Sequence, residues 1–364
     1  MVELAVKAKR TAKKRIRNKT FTIAGIKVKP GERKYVELPL PGLYSHSNIH
    51  MPVNVMCGKE AGPTLFVSAA IHGDEINGVE IIRRLKNTKS IKRLKGTLIT
   101  VPVVNVYGFI NKTRYLPDRR DLNRFFPGSS EGSMASKLAH VFETNIIAHC
   151  DYGIDLHTAA ISRDNLPQIR AILENEETKK LALAFGAPVV LDSPLREGSL
   201  REAAAETDTQ ILLYEAGEAL RFDEISIRAG VTGIINVMRS IGMLSKSRKR
   251  VKLESAIAHS SQWIRAPQSG VLRTINPMGN RINKGDLLGY ICDPFGEAEI
   301  EIRSPVSGMV IGRTTLPLVH EGEAIFHLAI FDALGEAESV YETFHSHIDP
   351  DDEIQSSSEE PVIY

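Results

Sequence analysis

The sequence predicts an α/β protein, a mixed sheet flanked by helices, with a small all-β unit behind it. Three observations carry that expectation. From Pro63 to about residue 242, continuous apolar runs rich in Val, Ile and Leu alternate with amphipathic stretches. That is the pattern of strands buried on both faces and connected by helices. A basic, polar stretch, SKSRKRVKLES (245–255), then interrupts the alternation. Beyond it the chain turns to short strands punctuated by Gly and Pro, and it repeats itself.

Taken in order, TLFVSAA (64–70), TLITVPVVN (97–105), YGIDLHT (152–158), QIRAIL (168–173), PVVLD (188–192) and QILLYEAGE (210–218) read as strands. Helical periodicity falls on Asn77–Lys86, Ser133–Cys150, Glu174–Phe185, Leu200–Glu206 and Asp223–Met243. Strand–helix alternation of this kind implies a largely parallel or mixed sheet covered by helices. Ligands bind such sheets outside the carboxyl ends of the strands. In the C-terminal part, RAPQSGVLR (265–273) is echoed by RSPVSGMVIGR (303–313), and each copy runs on through a Gly-containing turn to an apolar strand. Duplicated β units of this length pack into a small barrel or sandwich. The expected organisation is a basic N-terminal arm (1–20), an α/β catalytic domain (21–245), a linker (246–257), a duplicated β unit (258–332) and an acidic tail (333–364).

The chain has 364 residues, 42% apolar and 25% charged, with a net charge of +2. These values suit a globular protein and give no overall pull toward nucleic acid. The charge is uneven. Residues 1–19 hold eight basic side chains against Glu3 alone, and residues 335–364 hold nine acids and no Lys or Arg. Ends of opposite sign are expected to be solvated. Three cysteines, Cys57, Cys150 and Cys292, form no CxxC pair, which argues for a reducing compartment and a cytoplasmic location. No run of 18 apolar residues suggests a membrane span, and the basic N-terminus lacks the apolar core of a signal peptide.

The chemistry begins in AAIHGDEINGVE (69–80), where His72, Asp74 and Glu75 interrupt an apolar run. Asp74 and Glu75 suit a helix start, Asp74 and Asn77 being the capping candidates. His72 and Glu75, three apart, equally suit two ligands of a metal, since both side chains can face one point. Gly73 is expected to let the chain turn sharply between them. His157 falls at the carboxyl end of a buried strand. Asp155, two residues earlier and on the same side of the strand, is placed to accept the imidazole N–H. The long loop NKTRYLPDRRDLNRFFPG (111–128) offers Arg114, Asn123 and Arg124 as planar donors to a carboxylate or a carbonyl oxygen. Glu215 ends the strand in ILLYEAGE among apolar neighbours, where burial favours a proton-accepting role; Glu218 is its rival.

Taken in order, His-x-x-Glu, Arg114 with the Asp-Leu-Asn-Arg run, Asp-Leu-His and Tyr-Glu-Ala-Gly resemble the succinylglutamate desuccinylase/aspartoacylase family, a branch of the zinc carboxypeptidase superfamily. The resemblance spans roughly residues 60–240. The duplicated C-terminal unit resembles biotinyl/lipoyl-type barrel-sandwich domains, as in the predicted-deacylase subgroup. Its central turn, CDPFGEAEIEI (292–302), lacks the modifiable Lys of lipoyl domains, so a capping or gating role is expected in place of cofactor carriage. The resemblance implies a zinc-carboxypeptidase-like fold and one zinc ion per chain held by His72, Glu75 and His157. It implies that Arg114 polarises the scissile carbonyl, that Asn123 and Arg124 grip a substrate carboxylate, and that Glu215 is the general base. Asp121 and Asp155 stand behind the ligands.

The function so implied is zinc-dependent hydrolysis of the amide bond in a small N-acyl amino acid or related N-acyl amine. A metallocarboxypeptidase acting on short peptides shares the same ligands and the same carboxylate-binding Arg; it would keep an open cleft, whereas a deacylase would have the cleft narrowed by the C-terminal unit. A non-enzymatic binding protein is the third reading. The expected partner is a small molecule bearing a carboxylate, with no nucleic acid and no membrane; self-association into a homo-oligomer is left open.

Overall fold

A computed structural model describes residues 16–246 and 253–348. Nine strands form one mixed sheet, in the order Ala256–Ala258, Val189–Asp192, Gln168–Ala171, Gln210–Glu218, Tyr152–Ala159, Glu60–Ala69, Lys95–Val101, Ile49–Cys57 and Arg33–Leu40. Glu60–Ala69 is parallel to both of its neighbours, Tyr152–Ala159 and Lys95–Val101. The chain passes from Glu60–Ala69 to one neighbour and later returns on the other side. The carboxyl ends of Glu60–Ala69 and Tyr152–Ala159 therefore flank a topological switch point, the crevice where open α/β sheets bind ligands.

Helices cover both faces. Asn77–Asn87, Glu176–Phe185 and Glu224–Ser240 bury Ile81, Ile82, Leu181, Phe185, Ile234 and Val237 against one face. Met134–Asn145 and Leu200–Glu206 bury Leu138, Phe142, Leu200 and Ala203 on the other. There Phe142 meets Phe66 of the sheet edge-to-face at 5.7 Å and Phe126 at 6.1 Å, a favourable aromatic geometry. The strand expected over 97–105 stops at Val101. Pro102 has no N–H to continue the ladder. Instead Val104 and Asn105 donate to the carbonyls of Ala69 and Ala70, and the Asn105 side chain caps the helix Val106–Asn111 through Gly108 N at 2.9 Å.

Behind the main sheet lie two smaller sheets whose named strands pair antiparallel. One holds Ser260–Arg265, Ala324–Ile330, Gly308–Thr314 and Arg281–Ile282; the other holds Glu299–Arg303, Leu287–Cys292, Gly270–Thr274 and Leu318–Val319. The sequence repeat explains this arrangement. Each copy supplies four strands, two to each sheet, and exchanging the copies maps one sheet order onto the other. The shared Arg-x-Pro-x-Ser-Gly run is the turn in both, with the strand before it ending at Arg265 or Arg303 and the next beginning at Gly270 or Gly308. Ile264, Leu272, Leu288, Ile302, Val310 and Phe326 fill the space between the sheets.

Two segments differ from expectation. The stretch read as a linker ends in the strand Ala256–Ala258, which joins the edge of the main sheet in parallel with Val189–Asp192. The stretch read as a solvated acidic tail begins with a helix, Leu334–Ile348. Glu336, Glu338 and Glu342 lie on this helix, whose Ala337, Tyr341, Phe344 and Ile348 form an apolar stripe at helical spacing. Phe344 and Ile348 join the core beneath the helix Glu224–Ser240, and Ala337 and Tyr341 pack beside the C-terminal sheets. Residues 1–15 of the expected basic arm and 349–364 of the expected tail lie outside the described residues, as does the centre of the expected linker. Phe142→Ala is expected to cost about 3–5 kcal/mol; the shift of the urea midpoint at constant slope measures it.

Candidate metal centre

The turn after Glu60–Ala69 carries the first two candidate ligands. Ala70 adopts a left-handed φ of 52°; His72 to Glu75 follow, and the helix begins at Asn77. Ala69 pairs with Leu156 in the parallel ladder, which sets His157 beside this turn. Gly73 serves close approach here. A Cβ on it would lie 1.9 Å from the carbonyl carbon of Gly108, so a side chain would drive the ligand turn off the helix Val106–Asn111. The expected helix caps are not used. The N-cap is Ile76, with no side-chain cap bond. Asn77 instead ties the helix to its neighbours, donating to the Ala216 carbonyl at 3.2 Å and accepting from Asp223 N at 3.1 Å. Asp74 is buried with Oδ1 unpartnered, and burial, with the nearby Glu75 charge, raises its pKa.

His72, Glu75 and His157 come together with ligand atoms all within 4.8 Å of one another, and each residue is no more than 4% exposed. His72 Nδ1 lies 2.7 Å from Glu75 Oε1, and His157 Nδ1 lies 2.8 Å from Glu75 Oε2. The far nitrogen of each ring meets a second carboxylate: His72 Nε2 lies 3.0 Å from Asp121, and His157 Nε2 lies 2.7 Å from Asp155. Ser68 Oγ donates to Asp155 at 2.8 Å, and Thr158 N donates to Glu75 at 3.1 Å. Burial works against the charge on Glu75, but the two imidazoles outweigh it and hold the carboxyl well below the usual carboxylate range. Burial likewise opposes charge on the imidazoles, and their carboxylate partners outweigh it, raising both pKa values.

The loop 111–128 folds over this cluster. Arg114 donates to Glu75 Oε1 and to Asp121 Oδ2, both at 3.1 Å. Asp121 accepts from Asn123 N at 2.9 Å and lies 3.9 Å from Arg124 Nη2. Burial raises the Asp121 pKa, but its cationic partners carry it well below the usual range. The Asn123 amide oxygen accepts from Leu200 N at 2.9 Å, which anchors the loop to the helix Leu200–Glu206 and leaves the amide NH2 to donate.

The cavity beside the cluster has a volume of about 730 Å³. Glu215 lines it, set opposite His157 in the parallel ladder. Its surroundings are polar where apolar neighbours were expected: Asn165 Nδ2 donates to it at 3.0 Å, and Arg170 Nη1 lies 3.7 Å away. Glu218 is engaged elsewhere, accepting from Ser162 N at 2.9 Å and from Thr315 Oγ1 at 3.2 Å. Arg170, Trp263 and His327 also line the cavity, and sequence reasoning passed over all three. Arg170 faces the cavity from the same row as Asp155 and Leu213, but that row exists only once strands are paired. Trp263 stacks on His327 with ring centres 4.2 Å apart, and both come from the C-terminal unit. Asp192, Arg196 and Arg201 also face this space.

The donor set fits a divalent cation. Two imidazole nitrogens converge on one carboxylate, and each opposite ring nitrogen is held by a carboxylate, which fixes ring orientation and raises ligand basicity. A mixed α/β sheet with a His–Glu–His cluster at its switch point and a cavity beside it defines the class of protein. Residues 61–241 match the succinylglutamate desuccinylase/aspartoacylase catalytic domain, and the chain belongs to that family. The chain is 26% identical over 302 residues to the N-alpha-acetyl-L-2,4-diaminobutyric acid deacetylase of Halomonas elongata, covering 79% of this chain and 88% of that protein. Its fold is that of a product-bound ectoine utilization protein from Ruegeria pomeroyi (TM-score 0.76, 24% identity, 86% of this chain and 100% of that one). It is also that of a succinylglutamate desuccinylase/aspartoacylase from Rhodobacter sphaeroides (TM-score 0.74, 24% identity, 81% and 95%). Asp155→Ala, which keeps all three candidate ligands, is expected to weaken divalent-metal binding roughly 10–100-fold. Titration calorimetry of the metal-stripped protein measures the change; unaltered affinity would refute the arrangement.

Proposed function

We propose that the chain is a zinc-dependent deacylase that hydrolyses the amide bond of a small N-acyl amino acid or related N-acyl amine. The observation that carries this reading is the convergence of His72, Glu75 and His157 beside a cavity that Glu215 lines. The H. elongata relative, named as a deacetylase of an N-acetylated amino acid, supports the same chemistry. A zinc ion on the three side chains supplies Lewis acidity, bringing the pKa of water to roughly 7 and polarising a carbonyl.

The chain's own residues do the rest. Arg124 and the Asn123 amide grip the substrate carboxylate and orient the amide. Arg114, held by Glu75 and Asp121, keeps donors beside the scissile carbonyl oxygen and favours the negative charge that grows there. Glu215 takes a proton from the attacking water and hands it to the leaving nitrogen. The hydroxyl ends on the acyl carbon, the C–N bond breaks, and the products are a carboxylate and a free amine. Asp121 and Asp155 hold the imidazoles in orientation.

A carboxypeptidase needs an open cleft for a peptide. Here His259, Ser260, Ser261, Trp263 and His327 of the C-terminal part wall the cavity, which favours a small N-acyl substrate. Glu215→Gln is expected to lower kcat at least on the order of 100-fold with zinc still bound, and near-normal turnover would refute the base. His157→Ala is expected to lose stoichiometric zinc by elemental analysis. Amine release from a panel of N-acyl amino acids, N-acyl diamines and dipeptides checks the substrate class; turnover confined to the dipeptides would replace the deacylase with a peptidase.

A further inference from the structure

We propose that Asn165 is the positioning residue for Glu215, and that the C-terminal β unit sets Asn165 through Gly312. The proposal rests on Glu215 acting as the base. The short strand Arg163–Asn165 departs from the main sheet and pairs antiparallel with Gly308–Thr314 of the C-terminal unit, with Asn165 opposite Gly312. Asn165 is buried, and its Nδ2 donates to Glu215 Oε2 at 3.0 Å. Among the described residues, this bond fixes the direction of the carboxylate. Arg170 lies 3.7 Å from Oε1, close enough to steady the charge but beyond directional bonding. A base acts only through the oxygen that faces the proton, so the donor that decides which oxygen is tied back also decides which is free.

Gly312 makes the coupling visible. It has no left-handed φ to explain it, yet a Cβ there would lie 2.7 Å from Asn165 Oδ1. The other near atoms, Asp164 O and His327 Cβ, stand at 3.3 and 3.4 Å. An added methyl would therefore meet the free end of a short side chain before it met backbone. The amide swings aside, the strand pairing survives, and Nδ2 leaves Glu215. Glycine at this position of the C-terminal unit keeps room for an amide that belongs to the α/β part. The interface between the two parts thereby reaches the candidate base without touching substrate or metal ligands.

The test uses the full-length, zinc-loaded chain and the best substrate from the N-acyl panel. Asn165→Ala and Gly312→Ala are each expected to lower kcat on the order of 10-fold, with KM, zinc stoichiometry and thermal midpoint near those of the parent. The double variant is expected to match Asn165→Ala, because both changes act by one route. A crystal structure of Gly312→Ala is expected to show the Asn165 amide out of hydrogen-bond range of Glu215. Parent-like kcat in either single variant, additive losses in the double variant, or an intact Asn165–Glu215 bond in Gly312→Ala would each overturn the proposal. If the parent turns over no N-acyl substrate, or Glu215→Gln stays active, the base assignment fails and the proposal falls with it. If Glu215→Gln is inactive while Asn165→Ala keeps the parent's kcat, the base stands and the role of Asn165 alone is lost.

Discussion

A carboxylate buried between two imidazoles is the constraint on which the rest of the structure depends. Glu75 is 2% exposed, and an isolated charge at that depth would cost several kcal/mol. It persists because His72, His157, Arg114 and the Thr158 N–H all reach it. These partners come from three stretches of chain, the turn that holds His72, the loop that carries Arg114 and the strand end His157–Thr158, so compensating one charge fixes the relation of two strand ends and a loop. Parallel pairing of Glu60–Ala69 with Tyr152–Ala159 brings both imidazoles to the same mouth. The close packing of Gly73 on Gly108 then sets the ligand turn against the start of the Arg-rich loop.

The outer carboxylates extend the same logic. Asp155 and Asp121 hold the far sides of the two rings, and Asp121 also carries Arg114 and faces Arg124. Positive and negative groups alternate outward from Glu75, so no member of the network is left with an uncompensated charge. The cavity beyond breaks that balance. Arg196 and the buried Arg201 face it with no carboxylate in salt-bridge range among the described residues, and burial together with the charge of Arg170 lowers the Arg201 pKa to about 10. Cationic groups held in a partly enclosed space favour an anionic ligand, in keeping with the carboxylate-bearing substrate proposed above.

The C-terminal unit is joined to the site at several points. Its two sequence copies exchange strands so that each small sheet contains both, which closes a core that neither copy has by itself. Strand Arg163–Asn165 adds to one of those sheets, and Thr315 reaches Glu218. Trp263 and His327 form part of the cavity wall, and Arg163 lies over the Trp263 ring at 5.3 Å. Burial, helped by Arg170, lowers the His327 pKa to about 3, so this wall presents a neutral imidazole at ordinary pH.

The sequence by itself determined the strand–helix alternation, the internal repeat, and the residue types at the strand ends that mark the site. These are local features: apolar period, Gly and Pro punctuation, and short motifs such as His-x-x-Glu and Asp-Leu-His. It misread the helix Leu334–Ile348, because net charge conceals an apolar stripe when the period is not examined. It also misjudged the surroundings of Glu215, since the apolar neighbours in sequence are not its neighbours in space. Asn165 comes from a strand three residues long, and Gly312 is one glycine among many; neither carries a signal until two distant segments pair. Only the tertiary structure decided which glutamate faces the cavity, which cavity arginines lack a carboxylate partner among the described residues, and which part of the C-terminal unit packs against Asn165. Those properties belong to register and packing, which join residues far apart along the chain, and a linear pattern does not encode which distant segments meet.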